Sequence, residues 1–273
     1  MGKLEGKVAF ITGAARGQGA SHARFLAREG AKIIAVDILD SIPDFYATAT
    51  QEELDGLVQE IKDLGSDAIG LKVDVRDFAQ VKAAVDQGIE HFGRIDVLCN
   101  NAGMIRVDAI DEMSDHSLDV VIDICLKGVF NGVRAVAQHM KQRGSGSIIN
   151  TSSAGGIKAL PYVSHYAAAK GGVVLATKSW ANELAEWNIN VNAVAPGTIL
   201  SGMITGLAGQ AGQDPDEAFE DYNANTLFAG NKPGDKGRVE VEDISKVVLF
   251  LATDDARTIT GQTIAIDAGW TAS

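Results

Sequence analysis

The sequence predicts an α/β fold, doubly wound around one parallel sheet, in a single domain. Two observations predict it: short runs of strand-forming apolar residues alternate without interruption with helical stretches, and the first such run is followed at once by a glycine-rich turn and a helix. Strands are expected near 7–12, 32–37, 68–73, 95–99, 147–151, 189–194 and 262–267, with helices between them, the longest near 113–142 and 164–187.

The first strand, ending at Thr12, leads into Gly13, Arg16, Gly17, Gln18 and Gly19, and the next stretch reads as a helix closed by Gly30. Glycines at such a turn let backbone N–H groups approach a pyrophosphate, and a helix N-terminus adds partial positive charge. The second strand ends in Asp37, 18 residues past Gly19, where a carboxylate would hold the ribose hydroxyls of a dinucleotide. The segment from Ile38 to Thr50 is longer than an ordinary strand-to-helix connection and reads either as a tolerated surface insertion or as part of the site.

In the second half, Tyr166 and Lys170 stand four residues apart and Ser153 lies thirteen before the tyrosine. On a helix, positions i and i+4 share a face, so phenol and ammonium point into one space. A fixed positive charge favours the phenolate, and a serine hydroxyl can donate to the same substrate oxygen. These are the parts for moving a proton on or off an alcohol or carbonyl.

The glycine turn with Thr12, Asp74 in Val73–Val75, the run Asn100, Asn101, Ala102 and Gly103, the trio Ser153, Tyr166 and Lys170, and Pro196–Gly197 come in one order along the chain. Together they resemble the short-chain dehydrogenase/reductase family over nearly the whole length. The resemblance implies a Rossmann-type fold with a seven-stranded sheet and an NAD cofactor touched by Gly13, Arg16, Gly17, Gln18, Gly19, Asp37, Asp74, Val75, Asn101, Ala102, Gly103, Tyr166, Lys170, Pro196, Gly197, Ile199 and Ser201. It implies Tyr166 as acid/base, Lys170 as its modulator and ribose ligand, and Ser153 as the group that orients the substrate oxygen. It also implies a homotetramer built on the two long helices, with Val173, Val174, Ala176 and Trp180 as surplus apolar surface. One departure stands out: Cys125 replaces the family's asparagine in the helix before the serine strand. A backbone carbonyl at that position survives the change, so the proton relay is expected to work without the amide. The glycine turn and the 38–50 segment also resemble the carveol-dehydrogenase-like subgroup, some members of which are linked to the redox carrier mycofactocin.

The segment from Ser201 to about Arg238, rich in glycine, is expected to form a mobile lid over the substrate. The substrate implied is a small secondary alcohol or ketone, cyclic and largely apolar, such as a terpenoid alcohol or hydroxysteroid. A 3-oxoacyl-(carrier protein) reductase and a non-catalytic dinucleotide sensor on the same fold are the alternatives.

A formal charge of −12 argues against nucleic acid or an anionic membrane as partner, and 46% hydrophobic residues suffice for a large core. Cys99 and Cys125 fall in a predicted strand and helix and are expected to be reduced and buried, no His/Cys spacing suggests a metal, and no signal peptide or spanning run appears. The expected location is cytoplasmic.

Overall fold

A computed structural model describes residues 2–199, 202–223, 226–227 and 239–273. Seven strands form one sheet: β1 (Val8–Thr12), β2 (Lys32–Asp37), β3 (Ala68–Lys72), β4 (Val97–Asn100), β5 (Gly146–Thr151), β6 (Ile189–Pro196) and β7 (Thr263–Ile266). Their spatial order is β3-β2-β1-β4-β5-β6-β7, and every pairing is parallel. β1 and β2 are buried along nearly their whole length, as strands covered on both faces must be.

Helices α1 (Gly17–Arg28), α2 (Gln51–Asp63), α3 (Phe78–Phe92), α4 (Asp115–Ile122), α5 (Gly128–Arg143), α6 (Ser164–Leu184), α7 (Gly202–Ala211), α8 (Pro215–Asn223) and α9 (Val241–Ala252) complete the chain. Two apolar layers result. Leu26, Leu54, Ile61, Val248 and Leu251 bury one sheet face under α1, α2 and α9. Val81, Val85, Val121, Val133, Val136, Ala169 and Leu184 bury the other under α3 to α6.

The helix starts follow their sequences. Thr50 and Glu53 form a capping box on α2, Asp77 accepts the Ala79 amide at 2.8 Å, and Ser114 accepts Ser117 at 3.1 Å. Gly93 and Gly144 close α3 and α5 in the left-handed conformation.

Two features depart from the expected pattern. The helix expected over 113–142 is interrupted by a π turn at Asp123–Lys127, with Cys125 at its centre. Such a turn inserts one residue into the helical repeat and is frequent at functional sites. The glycine-rich lid region forms α7 and α8 in its described part, although it reads as loop in the sequence. Ser201, residues 224–225 and residues 228–238 of that segment lie outside the described residues.

Beneath the sheet's C-terminal edge runs a buried polar chain. Asn100 Nδ2 donates to Asn150 Oδ1 at 2.9 Å, and Asn150 Nδ2 donates to the Thr177 hydroxyl at 3.0 Å. Gly132 of α5 makes room for it: a Cβ there would stand 2.1 Å from Asn100 Oδ1.

Candidate active site

At the C-terminal ends of the strands, around the point where the sheet order reverses between β1 and β4, two adjoining cavities share Gln18, Asn101, Gly103 and Met203. Open α/β sheets bind ligands at this switch point.

The first cavity, about 160 Å³, is lined by Gly13, Arg16, Gly17, Gln18, Asp37, Asp74, Val75, Asn101, Ala102 and Gly103. Gly13 and Gly17 take φ of +63° and +57°, which side-chain-bearing residues rarely adopt. Thr12 and Asn101 brace the turn. The Thr12 hydroxyl accepts the Asn101 and Ala102 amides at 3.0 Å each, and Asn101 Nδ2 donates to the Thr12 and Gly13 carbonyls at 3.1 and 3.0 Å. Asp37 accepts Ala15 N at 3.0 Å and Ile38 N at 2.9 Å, and burial pushes its carboxyl above the usual range. Each oxygen keeps a lone pair for a hydroxyl donor. Asp74 is paired with Arg76, its carboxylate 2.6 Å from the guanidinium.

These residues fit a dinucleotide. α1 has no side-chain cap and no acid in its first turn, whereas side chains cap α2, α3 and α4. Its first amides are free for a pyrophosphate. Gln18 Oε1 is buried at the wall between the cavities with no hydrogen-bond partner.

Gly19 does not line this cavity. A Cβ there would stand 2.1 Å from the Gly13 carbonyl oxygen and 2.7 Å from Asn101 Nδ2, so its role is to let α1 close on the turn. The 38–50 segment, by contrast, belongs to the site. Ile38, Ile42, Tyr46, Thr48 and Ala49 line the first cavity. Arg16 donates to the Ala47 carbonyl, and Arg106 reaches the Asp44 carbonyl at 2.5 Å. Tyr46 abuts α7, where a Cβ on Gly206 would stand 2.6 Å from its ring.

The second cavity, about 270 Å³, holds Ser153, Tyr166 and Lys170 together with Pro196, Gly197 and Ile199. Its remaining wall is largely apolar and includes Ile105, Val107, Leu160, Val163, Ile204, Leu207 and Trp270. β5 and α6 are stapled at the trio: Ser152 Oγ donates to the Lys170 carbonyl at 2.8 Å, and Lys170 Nζ donates to the Thr151 carbonyl at 2.7 Å. The Ser153 hydroxyl, which accepts the Gly155 amide at 3.1 Å, is near enough to the Tyr166 phenol to favour its ionised form. Lys170 Nζ lies 5.7 Å from the Tyr166 ring centre.

The electrostatics differ from the sequence expectation. Burial pushes the Tyr166 phenol up, with Cys125 adding to the shift and the nearby Ser153 hydroxyl opposing it, and burial pulls Lys170 below its ordinary value. Desolvation penalises both charged forms, and here it outweighs the mutual benefit that i,i+4 spacing suggested.

Cys125 is fully buried, and its thiol holds the cofactor-side loop. Met104 N donates to Sγ at 3.3 Å, and Sγ donates to the Met104 carbonyl at 3.1 Å. The side chain therefore has a structural role of its own, separate from the relay role that the sequence reading gave to the backbone carbonyl. Trp270, a wall of the second cavity, was also missed; Lys158 holds it from behind, its Nζ 4.9 Å from the ring centre and donating to the Trp270 carbonyl at 3.3 Å. Among the described residues no group of His, Cys, Asp or Glu could hold a metal, and no helix is long and apolar enough to cross a membrane.

Comparison with known proteins agrees with this geometry. The family model described as short chain dehydrogenase matches residues 7–211. A (−)-trans-carveol dehydrogenase of Rhodococcus erythropolis is 40% identical, the match covering 99% of each chain. A 3-oxoacyl-[acyl-carrier-protein] reductase of Thermotoga maritima is 41% identical, covering 98% of each. The crystal structure of a carveol dehydrogenase from Mycobacterium avium in complex with NAD superposes with a TM-score of 0.92 at 38% identity, covering both chains completely.

Proposed function

Because the chain belongs to the short-chain dehydrogenase family and is an oxidoreductase of that fold, we propose that it interconverts a secondary alcohol and a ketone on a cyclic, largely apolar substrate such as a terpenoid alcohol or hydroxysteroid. The cofactor is NAD, which, when bound, supplies the hydride acceptor and a positive charge beside the phenol. The observation that carries the substrate class is the apolar wall of the second cavity converging on Ser153, Tyr166 and Lys170.

Ser153 donates to the substrate oxygen and fixes its distance from Tyr166. Tyr166 gives a proton to the ketone oxygen or takes one from the alcohol. Its raised affinity for the proton suits the donor role. Lys170, held by the Thr151 carbonyl, places its ammonium under the phenol and beside Gly103 of the cofactor wall. Asp37 accepts ribose hydroxyls and repels a 2′-phosphate, and Ile38 and Leu39 offer no cation for one. α7 and α8 act as the substrate lid of a single 1–273 domain, and the enzyme works as a cytoplasmic homotetramer.

A 3-oxoacyl reductase is the second reading, favoured by the Thermotoga relative. The acidic lid residues Asp214, Asp216, Glu217, Glu220 and Asp221 oppose it, since an acidic carrier protein prefers a basic mouth. A panel of ring alcohols, open-chain alcohols and a 3-oxoacyl thioester, followed at the reduced-nicotinamide absorbance, decides between them. Tyr166→Phe is expected to bind NAD and lose roughly 10²–10⁴-fold in kcat. Near-normal turnover by that variant would refute the mechanism and revive a sensor role.

A further inference from the structure

Tyr162 is a large aromatic residue with no evident structural task. The residue is 62% exposed, yet it lines the second cavity. Its φ is +63°, in the left-handed region that costs a side-chain-bearing residue free energy. Among the described residues no ring or cation stacks on it. The conformation is held from the other side of the cavity mouth: the Asp108 amide donates to the Tyr162 carbonyl at 2.8 Å. Asp108 is itself anchored, its carboxylate taking Arg106 Nε at 3.1 Å and the Ser117 hydroxyl. Val107, next to Asp108, is the facing rim residue, 47% exposed and also lining the cavity.

Strain of this kind persists where the surroundings over-determine it, and it gathers at ligand sites. We propose that Tyr162 is a specificity-determining residue whose ring, presented at the cavity mouth by the left-handed backbone, forms one face against which a ring-shaped apolar substrate lies. The proposal rests on the substrate class proposed above. A backbone turn needed only to start α6 would favour glycine or asparagine at this position and leave the aromatic ring without purpose. With the aperture fixed by the Asp108–Tyr162 bond, the ring is a standing wall of the mouth.

The test compares cyclooctanol with 2-octanol for wild type, Tyr162→Phe, Tyr162→Gly and Tyr162→Asn. The last two accept positive φ, so their melting temperatures should equal or exceed that of the wild type. Both should lose about tenfold in kcat/KM for the ring alcohol through KM, the size of one aromatic contact, with a much smaller loss for the open chain. Tyr162→Phe should stay within about twofold of wild type because it keeps the ring face. Cyclooctanone binding, read by quenching of tryptophan fluorescence, gives the same comparison if neither alcohol is turned over, an outcome that would defeat the proposed activity alone. Unchanged ring-to-chain discrimination in the glycine and asparagine variants, or an equal loss in Tyr162→Phe, would overturn the assignment.

Discussion

Replacing Cys125 by alanine removes two hydrogen bonds that hold Met104, the residue after Gly103 in the cofactor wall. The site is fully buried, so water cannot take over either bond. A buried backbone group left unpaired costs about 1–3 kcal/mol, and the low end applies because sulfur is a weak partner. Two such groups give about 2 kcal/mol, which for a domain of this size lowers the melting temperature by about 4–8 °C. The backbone carbonyl of Cys125 is untouched by the change, so kcat should hold while KM for NAD rises with the loosened loop. Cys125→Ser keeps a donor and an acceptor on a shorter bond and should lie between wild type and alanine. Cys125→Asn offers an amide N–H and C=O to the same Met104 pair and should be tolerated. Scanning calorimetry and NAD saturation curves for the four proteins decide the matter. An alanine variant within about 0.5 kcal/mol of wild type would refute the pinning role, and a large fall in kcat with unchanged KM would place the thiol in the relay instead.

Three further outcomes are expected. Asp37→Ala should narrow the preference for NAD over NADP by about one or two orders of magnitude, the loss of one charged contact of roughly 1.5–3 kcal/mol; a ratio of kcat/KM values that does not move would show that selectivity lies elsewhere. His22, buried with Nδ1 2.8 Å from Ser245 Oγ, is pulled from 6.5 to about 3 by burial. The unfolded chain takes up that proton below about pH 6.5 and the folded one does not, so this residue's contribution is complete above that pH and falls as pH drops toward about 3. Urea unfolding at pH 7 and 4.5 should therefore show a loss larger by roughly 2–3 kcal/mol in wild type than in His22→Leu; equal losses would contradict the shift. The proposed homotetramer should dissociate when Phe130 and Leu175, both exposed on the long helices, become glutamate, and light scattering of a wild type that is already monomeric at micromolar concentration would end that proposal.

Much of this site was legible because its parts are local. The glycine turn, the acid ending β2 and the i,i+4 pair of α6 each follow from spacing within one element, and the expected strands match the observed ones within about two residues at either end. Features set by tertiary contact were not legible. The π turn at Cys125 inserts one residue without disturbing the apolar pattern on either side. The role of residues 38–50 depends on Arg16 and Arg106 reaching back to their carbonyls. Gly19 reads as a phosphate glycine, yet its missing Cβ serves Gly13 and Asn101. The direction of the Tyr166 shift depends on depth of burial, which four-residue spacing does not encode. Val173 reads as interface surface but is fully buried against its own subunit, and the exposed apolar atoms belong to Leu175 and Phe130.

The amide chain under β4 and β5 also guards against a folding error. A parallel pair shifted by two residues keeps every apolar side chain on its proper face, so hydrophobic patterning alone does not forbid the slip. Asn100 and Asn150 are direct partners in the native pairing, and their bond exists only there. A shifted pair breaks that bond and moves Asn150 away from its Thr177 partner, leaving its amide in the core at about 1–3 kcal/mol for each group without a partner. Ser153 lies three residues beyond Asn150 and would be displaced by about two residues' length, roughly 6–7 Å, from the phenol it must reach. Two asparagines that never touch substrate thus proofread strand assembly on behalf of the chemistry, and replacing either should produce misassembled, inactive protein before it produces an unfolded one.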